Sequence, residues 1–304
     1  MFLSPKRAAG LFKLPKKRNY METFEIIGFG NPSIDIVHAE NNKLLRFGGS
    51  VATVMIALSR WGVKASLIGR LGNDYNGKLL IKDLTESGVD ISRLRVDEYP
   101  TSLWHINLND EGRTILTQEY YKPLNVFSIM DESYVKSSGC VLVRFNNELF
   151  RKVAEASVRY KKDLFVTFHL LADKTIDDSI KVLKASSPKL VFLNIMEEEK
   201  LGGAFDEIVE CSKIVVVTRG KEGCTVYTNG HEHDYNAPTV KVADPTGAGD
   251  AFAAGFIYGY LNQWPVDETT KFANAIGAIT TMDYGTRTKI TTVRDALDLV
   301  KLTD

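Results

Sequence analysis

Nine consecutive residues, Asp244-Pro245-Thr246-Gly247-Ala248-Gly249-Asp250-Ala251-Phe252, have the types and spacing needed to hold an anion beside a base. The segment before them, residues 239–242, is short and β-rich. After them Phe252, Phe256 and Tyr260 recur every four residues, which marks one face of a helix. Gly247-Ala248-Gly249 therefore falls where a loop becomes a helix. Small residues there let the backbone approach a ligand closely, and the first amides of a helix have no internal partners. Such a terminus binds anions, phosphate above all. Asp250, in the first helical turn, sets a carboxylate beside that pocket, where it can take a proton from an attacking hydroxyl. Short glycine patterns with an acidic residue also serve merely to start a helix, so the whole run and its surroundings must decide.

The whole run is far more specific than its glycines. It resembles the nucleotide-site signature of the ribokinase-like (pfkB) carbohydrate kinases, Asp-x-Thr-Gly-Ala-Gly-Asp-x-Phe followed by Ala-Gly-Phe, here completed by Ala254-Gly255-Phe256. The resemblance implies an α/β fold: a doubly wound, mostly parallel sheet with helices on both faces, plus a small β-sheet lid. It implies a kinase that moves the γ-phosphoryl group of ATP, with Mg²⁺, to a hydroxyl of a sugar or sugar-like polyol, of the ribose or fructose type or an inositol. In those terms Asp250 is the general base and Gly247, Ala248 and Gly249 form the anion hole. Thr246, Gly247 and Gly249 touch the nucleotide. Asp244 and Thr246 border a place where many relatives hold a monovalent cation, so K⁺ is a further expected ligand.

Length and composition fit that reading. A chain of 304 residues with 44% hydrophobic content buries a full α/β core. Formal net charge is zero, but unevenly spread. The first twenty residues hold six basic side chains (Lys6, Arg7, Lys13, Lys16, Lys17, Arg18) and no acidic one; the rest carries 32 basic against 38 acidic, a net of −6. A mildly acidic body disfavours nucleic acid as a partner. Residues 1–20 read as a basic, disordered extension, and residues 21–304 as the kinase domain, beginning with the strand after Met21. No apolar run approaches the roughly 20 residues a membrane helix needs. Cys140, Cys211 and Cys224 have no metal-ligand spacing, so reduced thiols in a cytoplasmic protein are expected.

Along the chain, Phe24 to Gly28 reads as a strand and Gly28-Phe29-Gly30-Asn31-Pro32-Ser33 as the turn after it. A dinucleotide fingerprint wants glycine at position 33 opening a helix. Ser33 to Val37 alternates instead, as a strand does, which excludes a Rossmann dehydrogenase reading. The resemblance gives this loop to the acceptor, with Asn31 beside it and Asp35 bonded to its hydroxyls. Gly48-Gly49 precede a helix with apolar residues from Val51 to Trp61, stopped by Gly62. The family signature has Gly-Gly and then Asn four residues on; here Thr53 stands in that place. Gly48, Gly49 and Thr53 are thereby expected to face the acceptor. Gly72, Asp74 and Gly77 match a further family pattern and suit a structural role. Residues 101–120 read as a β-hairpin turning at Asn109-Asp110-Glu111-Gly112. With residues 33–47 it forms a separate small sheet, lid strands spanning about 33–47 and 100–121, and a surface for a homodimer.

From residue 138 short apolar strands (140–144, 164–168, 190–193, 214–218) alternate with helices, the pattern of a parallel sheet. Ligands bind beyond the carboxyl ends of such strands. There stand Asn194 and Glu197, resembling the family's Asn-x-x-Glu motif, whose acid organises Mg²⁺ largely through water. There too stand Thr218, Gly220 and Gly223, resembling its nucleotide loop, and further on Asn274, on a small-residue helix beside the adenine pocket. Arg144 and His169 also end strands facing the cleft. Where many sugar kinases of the family have Asp-Pro-Asn, this chain has Thr167-Phe168-His169. That departure, with Thr53, leaves the acceptor open. A nucleoside kinase of the same fold, with Trp104 stacking the base, is the alternative; a ligand-binding relative without catalysis is the third reading.

Overall fold

The computed structural model describes residues 24–39, 42–109, 112–122, 124, 126–145, 148–168, 177–283 and 292–303. The basic extension, the hairpin tip at residues 110–111 and His169 lie outside the described residues. The first half contains β1 (Phe24–Phe29), β2 (Ser33–Ala39), β3 (Asn42–Gly48), α1 (Ser50–Arg60), β4 (Ala65–Ile68), β5 (Arg70–Gly72), α2 (Tyr75–Glu86), β6 (Arg95–Asp97), β7 (Leu103–Asn109) and β8 (Gly112–Glu119). The second contains α3 (Ile129–Lys136), β9 (Ser138–Arg144), α4 (Glu148–Arg159), β10 (Asp163–Thr167), α5 (Asp177–Ser186), β11 (Leu190–Asn194), α6 (Ile195–Leu201) and α7 (Ala204–Cys211). It continues through β12 (Ile214–Thr218), β13 (Cys224–Thr228), β14 (His231–Tyr235), α8 (Ala248–Leu261), α9 (Val266–Thr280) and α10 (Val293–Thr303).

Eight strands form the main sheet in the order β14-β13-β12-β11-β10-β9-β1-β4. The six from β12 to β4 are parallel, and β13 and β14 add an antiparallel edge. Alternate residues of each strand feed opposite faces. Ile26, Leu142, Phe192 and Val216 join a core with α1, α8, α9 and α10; Ile27, Val143, Val191 and Val215 join one with α4, α5 and α7. This is the doubly wound, mostly parallel sheet with helices on both faces expected from the sequence. A separate four-stranded sheet, β3-β2-β7-β8, combines the segment after β1 with the hairpin, as expected.

Two expectations needed correction or completion. Residues 239–242 are not a strand: the sheet edge ends at Tyr235 and no neighbouring strand pairs with them, so β-branched composition alone does not extend them into a ladder. The β13–β14 hairpin went unread although its turn is Asn229-Gly230, both at positive φ (52° and 76°), the type I′ pairing that matches strand twist.

Helix starts differ in how they are capped. Asp74 caps α2 by accepting from the Gly77 N–H at 2.7 Å, and Ser128 with Asp131 closes a capping box on α3. Helices α1 and α8 instead begin at Gly49 and Gly247, with no side-chain cap. Helix α8 is buried almost all round, and Gly255 and Gly259 let it lie against α9: a Cβ at Gly255 would come within 3.0 Å of the Ala273 Cα.

Candidate active site

The loop into α8 is pinned before the helix starts. The N–H groups of Ala243 and Asp244 both donate to the Thr281 carbonyl, at 2.7 and 3.1 Å. Asp244 is buried and its Oδ1 accepts the Thr246 N–H at 2.8 Å. Thr246 is buried too, and its Oγ1 has no hydrogen-bond partner among the described residues. Gly247 follows at φ 83°, a left-handed turn that lets the chain enter α8 without a side chain over the first amides. The Ala248 N–H reaches back to the Pro245 carbonyl at 3.3 Å, whereas a Cβ on Gly249 would meet nothing within 4 Å. The space before Gly249 is open cleft.

The opposite wall is built from the segment after β1. Both ends of the Asn31 amide are engaged by backbone: its oxygen accepts the Arg70 N–H and its nitrogen donates to the Lys122 carbonyl, each at 2.9 Å. Asn31 thus braces three segments as well as facing the cleft. Asp35 on β2 is buried, with the Ser33 hydroxyl 3.4 Å from its Oδ1. A Cβ on Gly48 would overlap the Asp35 carboxylate, and one on Gly49, at φ 95°, would lie 2.6 Å from the Asn31 carbonyl oxygen. The glycine pair is therefore required by close packing around Asp35, and it starts α1, which carries the buried Thr53.

One residue went unnoticed in the sequence. Ser50, the first residue of α1, donates its hydroxyl to Asp250 Oδ1 across 200 positions of chain. Its only local signal is a hydroxyl directly after Gly-Gly at a helix start. Its partner becomes visible only when α1 and α8 meet.

At the far end, Asn194 caps α6. Its Oδ1 accepts the Glu197 N–H at 3.0 Å, while Glu197 Oε2 accepts the Asn194 N–H at 2.9 Å. Glu197 is thus both a capping residue and a buried carboxylate on the cleft wall. The Thr218 hydroxyl donates to the Leu193 carbonyl at 3.4 Å. Gly220 (φ 60°) and Gly223 (φ 101°) turn the next loop, and a Cβ at Gly223 would overlap the Tyr235 carbonyl. Asn274 ties α9 to the end of β14 by donating to the Tyr235 and Asn236 carbonyls, both at 3.4 Å, with the Cys224 sulfur 3.7 Å away. Burial pushes that thiol up to about 12, so it is no nucleophile.

These walls enclose one cleft of about 1070 Å³. It runs from Asp35, Trp104 and Arg144 at one end, past Asp250, to Gly220 and Asn274 at the other. Of the expected site residues that are described, all line it except Gly48, Asp244 and Thr246, which pack against residues of its wall. Gly72, Asp74 and Gly77 have the structural role expected: Asp74 also accepts the Thr101 N–H at 2.7 Å, and a Cβ at Gly77 would overlap the Gly72 carbonyl. Among the described residues no group of three or more His, Cys, Asp or Glu could hold a metal ion by itself, and no helix is long and apolar enough to cross a membrane.

Comparison with known proteins identifies the family. The family model "pfkB family carbohydrate kinase" matches residues 31–293. The chain is 31% identical over 250 residues to the ATP-dependent ribose-1-phosphate kinase of Halopiger xanaduensis, covering 79% of this chain and 82% of that one. It is 26% identical to a 5-dehydro-2-deoxygluconokinase of Clostridium botulinum, covering 96% of each. Among solved structures it resembles Arabidopsis thaliana ribokinase complexed with ribose and ATP, with a TM-score of 0.79 at 21% identity, covering 91% of this chain and 99% of that one. An uncharacterized sugar kinase from Pyrococcus horikoshii in complex with ATP gives 0.76 at 25% identity, covering 90% and 99%. The chain belongs to the pfkB family of carbohydrate kinases and is a phosphotransferase.

Proposed function

We propose that this protein transfers the γ-phosphoryl group of ATP to a hydroxyl of a sugar or sugar-like polyol, with Asp250 as general base. The observation that carries the reading is the Ser50–Asp250 hydrogen bond. It sets the carboxylate where two uncapped helix starts converge, one facing the acceptor wall and one facing the anion pocket. Asp35, with Gly49 and Thr53, orients the acceptor hydroxyl toward that point. The amides of the Gly247-Ala248-Gly249 turn receive the phosphoryl oxygens, and Asp250 accepts the hydroxyl proton. The positive end of α8 favours the ionised carboxylate. Positioning and charge stabilisation then carry most of the rate effect, because the transition state of phosphoryl transfer is loose.

Thr218, Gly220, Gly223 and Asn274 line the nucleotide end. Magnesium, bound with the donor, would neutralise charge on its β- and γ-phosphates. The residues fit: Glu197 offers a buried carboxylate on the cleft wall, suited to contact through water. A monovalent cation such as K⁺ fits beside α8, where the Asp244 carboxylate and the unpartnered Thr246 hydroxyl supply oxygen donors. The small sheet would act as the lid, since Trp104 on β7 lines the cleft, and its outer face would be the surface for a homodimer. A nucleoside acceptor is the second reading, favoured by that same Trp104, which stands edge-on to Tyr121 at 6.4 Å.

Kinship does not name the acceptor, because the relatives' own names range from ribose-1-phosphate to 5-dehydro-2-deoxygluconate. The test is ADP release from Mg-ATP across pentoses, hexoses, sugar acids, sugar phosphates, inositols and nucleosides, with Asp250→Asn as the blank. Turnover that disappears in the variant supports the assignment. Equal turnover in both enzymes sinks Asp250 as the base.

A further inference from the structure

The acceptor end of the cleft is walled by a carboxylate, hydroxyls and aromatic rings, with a guanidinium among them. Arg144 closes β9, and strand order sets that strand end on the acceptor side of the sheet, while its charge also reaches Glu197 and Asp250. Its neighbour on one side is β1, where Phe29 pairs with Val143, one residue before Arg144. From there the chain passes directly to Asn31, Ser33 and Asp35. On the other side Arg144 is in register with Thr167 of β10. The nucleotide residues leave β11 and β12, two and three strands away. Among the described residues two cationic side chains line the cleft: Arg144, and the exposed Lys221 on the loop after β12. Burial pushes the Arg144 pKa down while Tyr121, Glu197 and Asp250 pull it up, and a guanidinium remains charged across the working range.

Neutral sugars are held by acceptors and donors of hydroxyl bonds. A planar, half-buried guanidinium beside them offers a bidentate match to an oxyanion. We infer that the acceptor is an acidic sugar, whose carboxylate or phosphate monoester pairs with Arg144 while its reacting hydroxyl faces Asp250. This inference rests on the kinase reading above and goes beyond it by naming the acceptor class.

The test compares matched acceptors, ribose with ribose 1-phosphate and glucose with gluconate, in wild type, Arg144→Met and Arg144→Lys. Melting temperature and the melting shift with Mg-ATP check each variant's fold and nucleotide site. In wild type, kcat/KM for one acidic member exceeds that of its neutral partner by roughly 10–100-fold, the worth of a charge-assisted bond. Which pair shows it separates phosphate from carboxylate. Arg144→Met abolishes the preference mainly through the acceptor KM, Arg144→Lys keeps part of it, and the Mg-ATP shift is unchanged. Neutral members turned over as well as acidic ones overturn the inference and leave the kinase intact. An equal fall in kcat on both members of a pair assigns Arg144 to the transferring phosphoryl group and also overturns it. No ADP release from either pair, with turnover on an inositol or a nucleoside, overturns the inference and leaves the kinase reading intact.

Discussion

The two ends of the cleft are built from different materials. At the anion end the working surface is backbone: the left-handed turn at Gly247, the open space before Gly249, and the turns at Gly220 and Gly223. At the proposed acceptor end it is side chains, Asp35, Thr53, Trp104 and Arg144, delivered by four separate elements. Phosphate looks the same on every donor, so amides at a helix start suffice for it. Acceptors differ in shape and charge, and side chains are what can differ with them. Asp250 belongs to both ends: it lies in the first turn of α8 yet bonds Ser50 of α1.

If that division is right, the hinge residue gives the largest effect. Asp250→Asn should lower kcat by about 10²–10⁴ with little change in the KM for ATP. A fall confined to KM would place Asp250 in binding rather than in proton transfer. Asp35→Ala should raise the acceptor KM by about 10–100-fold, as expected for losing a hydrogen bond to a charged group, and leave ATP binding alone. An altered ATP KM would break the separation of the two ends. Gly249→Val puts bulk where the structure has open cleft, so Tm should hold while the KM for ATP rises on the order of tenfold, about 1.4 kcal/mol. Isothermal titration with ATP and a thermal scan distinguish a blocked site from a damaged helix.

The smallest effect concerns the frames behind the two ends. The acceptor frame hangs on carboxylates. Burial raises the Asp74 pKa, but the Thr101 and Gly77 N–H groups outweigh it and hold the net value below the usual carboxylate range. Arg70 holds Asp97 lower still, against burial. Such groups stabilise the fold above the unfolded pKa of about 4 and lose that contribution as pH falls through the folded pKa. Tm should therefore decline between about pH 4 and pH 2. Asp74→Asn keeps a capping side chain but cannot titrate, so its decline should be shallower by a few degrees. Identical slopes would remove Asp74 from the account.

Much of this was legible because it is local. Strand and helix periodicity foretold the parallel sheet, and the Asp244–Phe252 run foretold a glycine turn at a helix start. The β-rich segment 239–242, which joins no sheet, shows the limit: β propensity needs a neighbour to pair with, and neighbours are not written locally. Glu197 shows another, since one short motif serves a cap and a cleft carboxylate at once, and only packing shows both.

What the sequence by itself determined was the family, the fold and the glycine turn at the start of α8, because glycine conformation and helix starts act within a few residues of chain. The Ser50–Asp250 bond, the engagement of both ends of Asn31, and the placement of Arg144 beside the acceptor loop were decided by tertiary structure alone. Each joins segments tens to hundreds of residues apart, brought together by strand order and by the burial that packs α1 against α8.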